Sequence, residues 1–198
     1  MALFPTTPKF KTVDLKSMSS TIVDYTQSKR RNARQFGGHL WSFKATYRTL
    51  TKEEFMPVWA FCMGQEGAFG VFEVIPPETA IPRGQWSGTP LVNGADQTGK
   101  TLILDGATPS ITGWARAGDI INIAGQTKVY LVTADANSDG SGNVTLPIYP
   151  PLISSPANNS AITSTDVKYT VSLSGDIQEY SVRPPLLYGY EVSFIEAV

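Results

Sequence analysis

Residues 94–101 read GADQTGKT and fit, letter for letter, the G-x-x-x-x-G-K-[ST] pattern of a phosphate-binding loop. In such a loop the backbone N–H groups and the N-terminus of the next helix hold the phosphates, and the lysine reaches the terminal ones. That chemistry needs a buried strand before the first glycine and a helix after the lysine. Here Lys100-Thr101 runs straight into Leu102, Ile103 and Leu104, a β-type run closed by Asp105-Gly106 and Pro109. The expectation is a polar turn ahead of a strand, with no nucleotide site.

A second stretch imitates a calcium loop. Asp135, Asn137, Asp139 and Gly140 fall at positions one, three, five and six of an EF-hand pattern, but position twelve is Leu146 where a bidentate Glu is required. The flanking residues are strand-like, so a wide hairpin rich in Asp, Asn and Gly accounts for them. His39 is the sole histidine and Cys62 the sole cysteine, and no G-x-S-x-G is present. A serine triad would have to use His39 and lacks its nucleophile motif, while a zinc cluster and an intrachain disulfide have no residues to build them. Glu53, Glu54, Glu66 and Glu73 show no spacing that singles out a glycosidase pair. We expect no catalysis and no cofactor.

Two groups suit binding rather than catalysis. Lys29, Arg30, Arg31 and Arg34 form a basic run with Phe36 and Trp41 nearby. It reads as one side of a subunit interface, with a solvated strand face or nucleic-acid contact as the other readings. Trp86 and Trp114, with Tyr130 and Tyr149, offer stacking faces for a ligand such as a glycan, against the commoner fate of core packing.

The elements that hold these residues follow from composition and period. The 198 residues are 41% hydrophobic and 17% charged with a net charge of -1, which specifies a folded chain without bulk attraction to nucleic acid or anionic membrane. The 17 glycines and 14 prolines, with many Thr, Ser, Val and Ile residues, indicate short strands and frequent turns. No run approaches the length of a membrane span, and no signal-peptide pattern stands out, so synthesis in a cytosol is expected.

Residues 1–19 read as an extended arm, and residues 21–34 as one long polar strand. Gly37-Gly38 reads as a hairpin turn, after which Trp41, Phe43, Ala45 and Tyr47 alternate with polar residues as a half-buried strand. One helix is expected at about 52–63. Thr51 and Glu54 make a capping box, Leu50 and Phe55 a hydrophobic staple, and Phe55, Trp59 and Cys62 an apolar stripe. Pro57 lies inside it and Gly64 stands at its end. Residues 67–75 return as a strand, and the Pro-rich stretch 75–90 marks a boundary. Short strands at 100–106, 118–125, 127–135, 142–149 and 167–175 then suggest a small barrel or sandwich. Tyr188, Tyr190, Val192 and Phe194 alternate again, so the last strand should rejoin the first sheet. The expected fold is mainly β: a β-sandwich-like core domain with one short helix (1–85 and 180–198) and an inserted small OB-like β-barrel domain (86–179).

This arrangement resembles distal tail and related minor tail proteins of tailed bacteriophages. The resemblance is carried by RRNARQFGGHLWSFKATYRTLTKEEFMPVWAFCMGQEGAFGVFEVIPP, with its basic Gly-containing hairpin, aromatic strand, short helix and return strand. It is carried also by AGDIINIAGQTKVYLVTADANSDGSGNVTLPIYPPL, which is similar to β-domains inserted in phage structural proteins. The resemblance implies a virion protein made in the host cytoplasm. It further implies a homo-oligomeric ring, expected to be hexameric, that joins the tail tube to the hub, tip or baseplate. It implies no membrane insertion and no nucleic-acid specificity. A host-surface carbohydrate-binding module, or a capsid or connector accessory protein, is the competing expectation.

Overall fold

Side chains that alternate between apolar and polar bury one face of a strand, and residues 41–47 do so: Trp41, Phe43, Ala45 and Tyr47 are buried while the residues between them are half-buried. In the computed structural model, which describes residues 1–198, they form the inner end of a long second strand. In chain order the strands are β1 (Phe10–Tyr25), β2 (Arg31–Tyr47), β3 (Phe72–Val74), β4 (Gly88–Val92), β5 (Gly99–Ala107), β6 (Ile120–Ile123), β7 (Val129–Val132), β8 (Val144–Leu152), β9 (Ile162–Thr163), β10 (Tyr169–Leu173), β11 (Tyr180–Arg183) and β12 (Leu187–Glu196). A single α-helix, α1 (Lys52–Gly64), lies between β2 and β3, and the fold is mainly β, with 47% of residues in strands. Two compact units result: a sheet unit of Pro5–Phe72 and Val171–Ala197, and a barrel unit of Met1–Phe4, Glu73–Thr170 and Val198.

In the sheet unit the strand order is β1-β2-β12-β10, with β11 paired to the outer end of β12. The last strand rejoins the first sheet as its alternation predicts, with Phe43 opposite Phe194 and Ala45 opposite Val192. The helix starts where the local chemistry says it should. Thr51 accepts a hydrogen bond from the Glu54 amide while the Glu54 side chain accepts from the Thr51 amide, completing the capping box. Pro57 sits inside α1 without ending it. The apolar stripe of α1 lies on the sheet: the Phe55 ring stacks on Tyr188 at 4.8 Å and meets Tyr190 edge-on at 5.5 Å. Cys62 is fully buried there, and burial pushes its thiol up, so it packs as a small hydrophobe. Burial likewise raises the phenols of Tyr47 and Tyr190.

The barrel unit has the order β4-β5-β8-β7-β6-β9. It nearly closes, because β4 meets the start of β9: the Val92 amide donates to Ser160 O and the Asn159 amide to Val92 O, each at 2.9 Å. Leu102 and Leu104 of β5, Ile121 and Ile123 of β6, Val132 of β7 and Val144, Leu146 and Ile148 of β8 point inward by period-two alternation. Each large aliphatic side chain buried in this way contributes roughly 1.5–3 kcal/mol.

Three expectations are corrected here. Gly37-Gly38 is not a hairpin turn but part of β2, and residues 21–34 are not one strand but the outer halves of β1 and β2 with a turn between them. The glycines instead permit a bulge: Ser19 pairs with His39 and Thr21 with Gln35, so the single residue Ser20 faces Phe36, Gly37 and Gly38, the last at φ 118°. The strand expected at 167–175 in the barrel joins the other sheet, with Leu173 opposite Phe194.

Candidate subunit interface

The basic run lies at the tip of an arm. Beyond His39 the β1–β2 hairpin continues as a two-stranded ribbon exposed on both faces, and the eight residues from Arg31 to Gly38 are all exposed. At a strand rise near 3.3 Å per residue this free portion is about 25 Å long. Its turn is a three-residue loop: the Thr26 amide donates to Arg30 O at 3.0 Å, the Lys29 amide donates to Thr26 O at 2.8 Å, and Lys29 takes the left-handed conformation at φ 59°. The Thr26 hydroxyl accepts from the Arg30 amide at 3.1 Å and lies 3.0 Å from the Ser28 hydroxyl, which ties the loop together.

Residues opposite one another in an antiparallel pair share a face, so the register sorts the arm. Tyr25 faces Arg31 and Val23 faces Ala33 on one side; Ile22 faces Arg34 on the other. The Arg34 guanidinium stands 5.4 Å over the Phe36 ring. The four cations therefore surround the tip instead of lining one strand face, and none of Lys29, Arg30, Arg31 and Arg34 makes an ion pair within the chain. Ile22, Val23, Tyr25 and Phe36 are exposed beside them, at 59, 41, 63 and 42%. An isolated two-stranded ribbon is marginal in water, and this one leaves apolar area bare on both sides.

The arm is held at its root. His39 is buried, its Nε2 lies 2.8 Å from the Ser17 hydroxyl, and its ring meets Trp41 edge-on at 4.6 Å. The Trp41 amide donates to the buried Glu196 carboxylate at 3.0 Å. His39 thus belongs to the packing that anchors the arm.

The sheet unit has a second open feature that the sequence does not flag. A groove of about 740 Å³ runs along β11 and the preceding loop, with Ile177, Glu179, Tyr180 and Arg183 on its lining and Glu191 across from them. Ile177 is 87% exposed. Glu191 is paired with Lys44 at 2.6 Å, whereas Glu179 makes no ion pair.

Trp86 and Trp114 are placed differently from a stacking platform. Trp114 is fully buried and Trp86 nearly so, their rings 4.5 Å apart in the barrel core. Trp86 Nε1 donates to Asp119 and Trp114 Nε1 to Ser87 O, each at 2.8 Å. A stacking ligand needs an open indole face, and packing of the barrel closes both. Tyr130 is likewise buried, its hydroxyl donating to Gln126 at 2.8 Å.

The calcium-like residues do not converge. Asp135 accepts from the Ala117 amide, Asn137 from the Gly113 amide, and Asp139 from the amides of Ser141 and Asn143. The Asn143 side chain, with those backbone amides, holds the Asp139 carboxyl below its ordinary range. These residues shape the hairpin turn. Lys100 and Thr101 lie within β5, so the sequence that fits a phosphate loop has a strand where the phosphate-binding helix would start.

Residues 78–167 match the family described as distal tail protein pb9, B domain. No curated protein matches the chain. The matched segment lies within the barrel unit and includes all six of its strands. Over that segment the chain is similar to the B domain of a distal tail protein, a likeness that supports a structural role in a phage tail.

Proposed function

We propose that the chain assembles with copies of itself into a closed ring, with six copies as the expected number, that joins the tail tube to the tail tip or baseplate. In this reading residues 1–85 and 180–198 make the ring core, and the inserted residues 86–179 form an OB-like domain carried on it. The observation that carries it is the arm: a basic ribbon about 25 Å long, bare on both faces, that gains burial only against another molecule. Lys29, Arg30, Arg31 and Arg34 are its interface cations. The tail tube protein and the hub or tip proteins are its neighbours in the tail, and no step of the function needs a cofactor or catalysis. The burial of Trp86 and Trp114 weighs against the carbohydrate-binding alternative.

Native mass measurement and negative-stain electron microscopy of the concentrated protein test this. Six-fold rings are expected, together with their weakening in the Arg30→Glu/Arg31→Glu variant. Rings that form equally well in that variant would remove the arm cations from the interface. A chain that never self-associates would remove the ring.

A further inference from the structure

We infer that the groove along β11 is the socket for the arm of a second copy of this chain. This deepens the ring reading and rests on it.

Charge is the first ground for it. Lys29, Arg30, Arg31 and Arg34, against Asp24, give the outer arm a formal charge of +3. On the groove lining, Glu179 and Glu191 outnumber Arg183; Glu191 is paired with Lys44, whereas Glu179 makes no ion pair. The unpaired Glu179 carboxylate is the natural partner for an arm guanidinium.

The second is backbone. β1 is the edge of its sheet and pairs only with β2, and β11 pairs only with β12. Each leaves one row of N–H and C=O groups open, and an extended segment added to such an edge is a standard way for two chains to join. Ile177 and Tyr180, 87 and 43% exposed, then cover Val23 and Tyr25.

The third is symmetry. Two arms facing each other across a two-fold axis would set +3 against +3. Arm into groove joins two different patches, which is a heterologous contact, and such a contact closes into a ring when its rotation divides a full turn. The charge distribution thus favours a head-to-tail contact over a two-fold dimer.

Mixed single-cysteine variants test this directly. Ser28→Cys is placed at the arm turn of one chain and Ile177→Cys in the groove of another. Cys62 is buried and stays silent. Mild oxidation of the concentrated mixture is expected to give a covalent pair containing one of each variant. Arg31→Glu is expected to raise the concentration needed for assembly about tenfold, and adding Glu179→Arg to restore it. Rings that form without the 28–177 link, or arms that link only to arms, overturn the socket and leave the ring reading standing. A chain that stays monomeric at every concentration overturns both.

Discussion

Asp119→Ala should unfold the barrel unit more readily than any comparable surface change, because one carboxylate serves four donors. Asp119 is buried, at 2% exposure, and accepts from the amides of Arg83 at 2.6 Å, Gly84 at 3.0 Å and Arg116 at 2.8 Å, and from Trp86 Nε1 at 2.8 Å. A hydrogen bond to an ionised group contributes about 1.5–3 kcal/mol, and a buried donor left without a partner costs about 1–3 kcal/mol. The amides of Arg83 and Arg116 belong to exposed residues and can regain water, whereas the Trp86 indole lies against Trp114 in the core. The net loss is therefore about 3–5 kcal/mol, a large share of a domain's total stability. Asp119→Asn keeps one accepting oxygen and should lose about half as much. Urea unfolding followed by tryptophan fluorescence, with hydrogen exchange at β6 and β7, measures this. At a slope of about 1.5 kcal/mol/M the midpoint of the alanine variant should fall by about 2–3 M. A loss under about 1 kcal/mol, or equal losses in the two variants, would refute the view that Asp119 organises the residues around Trp86.

Gly142→Ala should cost about 3 kcal/mol, because at φ 80° its new Cβ would lie 2.4 Å from Ala107 O. Gly140→Ala in the same turn meets nothing and should stay within about 0.5 kcal/mol; equal melting of the two would sink the steric argument. Thr51→Ala should destabilise α1 by about 1 kcal/mol, read by thermal melting and by exchange of the first-turn amides. The Glu54 carboxyl is held below its ordinary range, first by the Thr51 backbone hydrogen bond. Its contribution is present above the unfolded carboxyl's ordinary range and is lost as pH falls through the lowered folded value, so the first turn of α1 should fray on acidification. Exchange at those amides that does not change with acid would contradict this. Assembly itself should weaken with salt, because exposed arginine–carboxylate contacts are screened; rings indifferent to ionic strength would argue for an apolar interface instead.

The sequence by itself determined what depends on near neighbours along the chain. The capping box of Thr51 and Glu54 starts α1 because its donors and acceptors lie within one turn. Alternation over residues 41–47 and 188–194 sets which side chains face inward, because period two is a backbone property. The strand after Lys100 overrode a motif that matched by letters alone, since Leu102, Ile103 and Leu104 prefer a pleated surface. Tertiary structure decided everything that depends on what lies opposite. Gly37-Gly38 serve equally well as a turn or a bulge, and only the register of β1 against β2 selects the bulge and moves the turn to residues 26–30. Residues 169–173 suit either sheet by pattern, and pairing with β12 places them. Trp86 and Trp114 are equally apolar as ligand platforms or as core, and closure of the barrel makes them core. The groove along β11 has no local signature at all, because it is shaped by residues 174–183 against residues 46 and 189–193, which come together only when the chain's last strand returns to its first sheet.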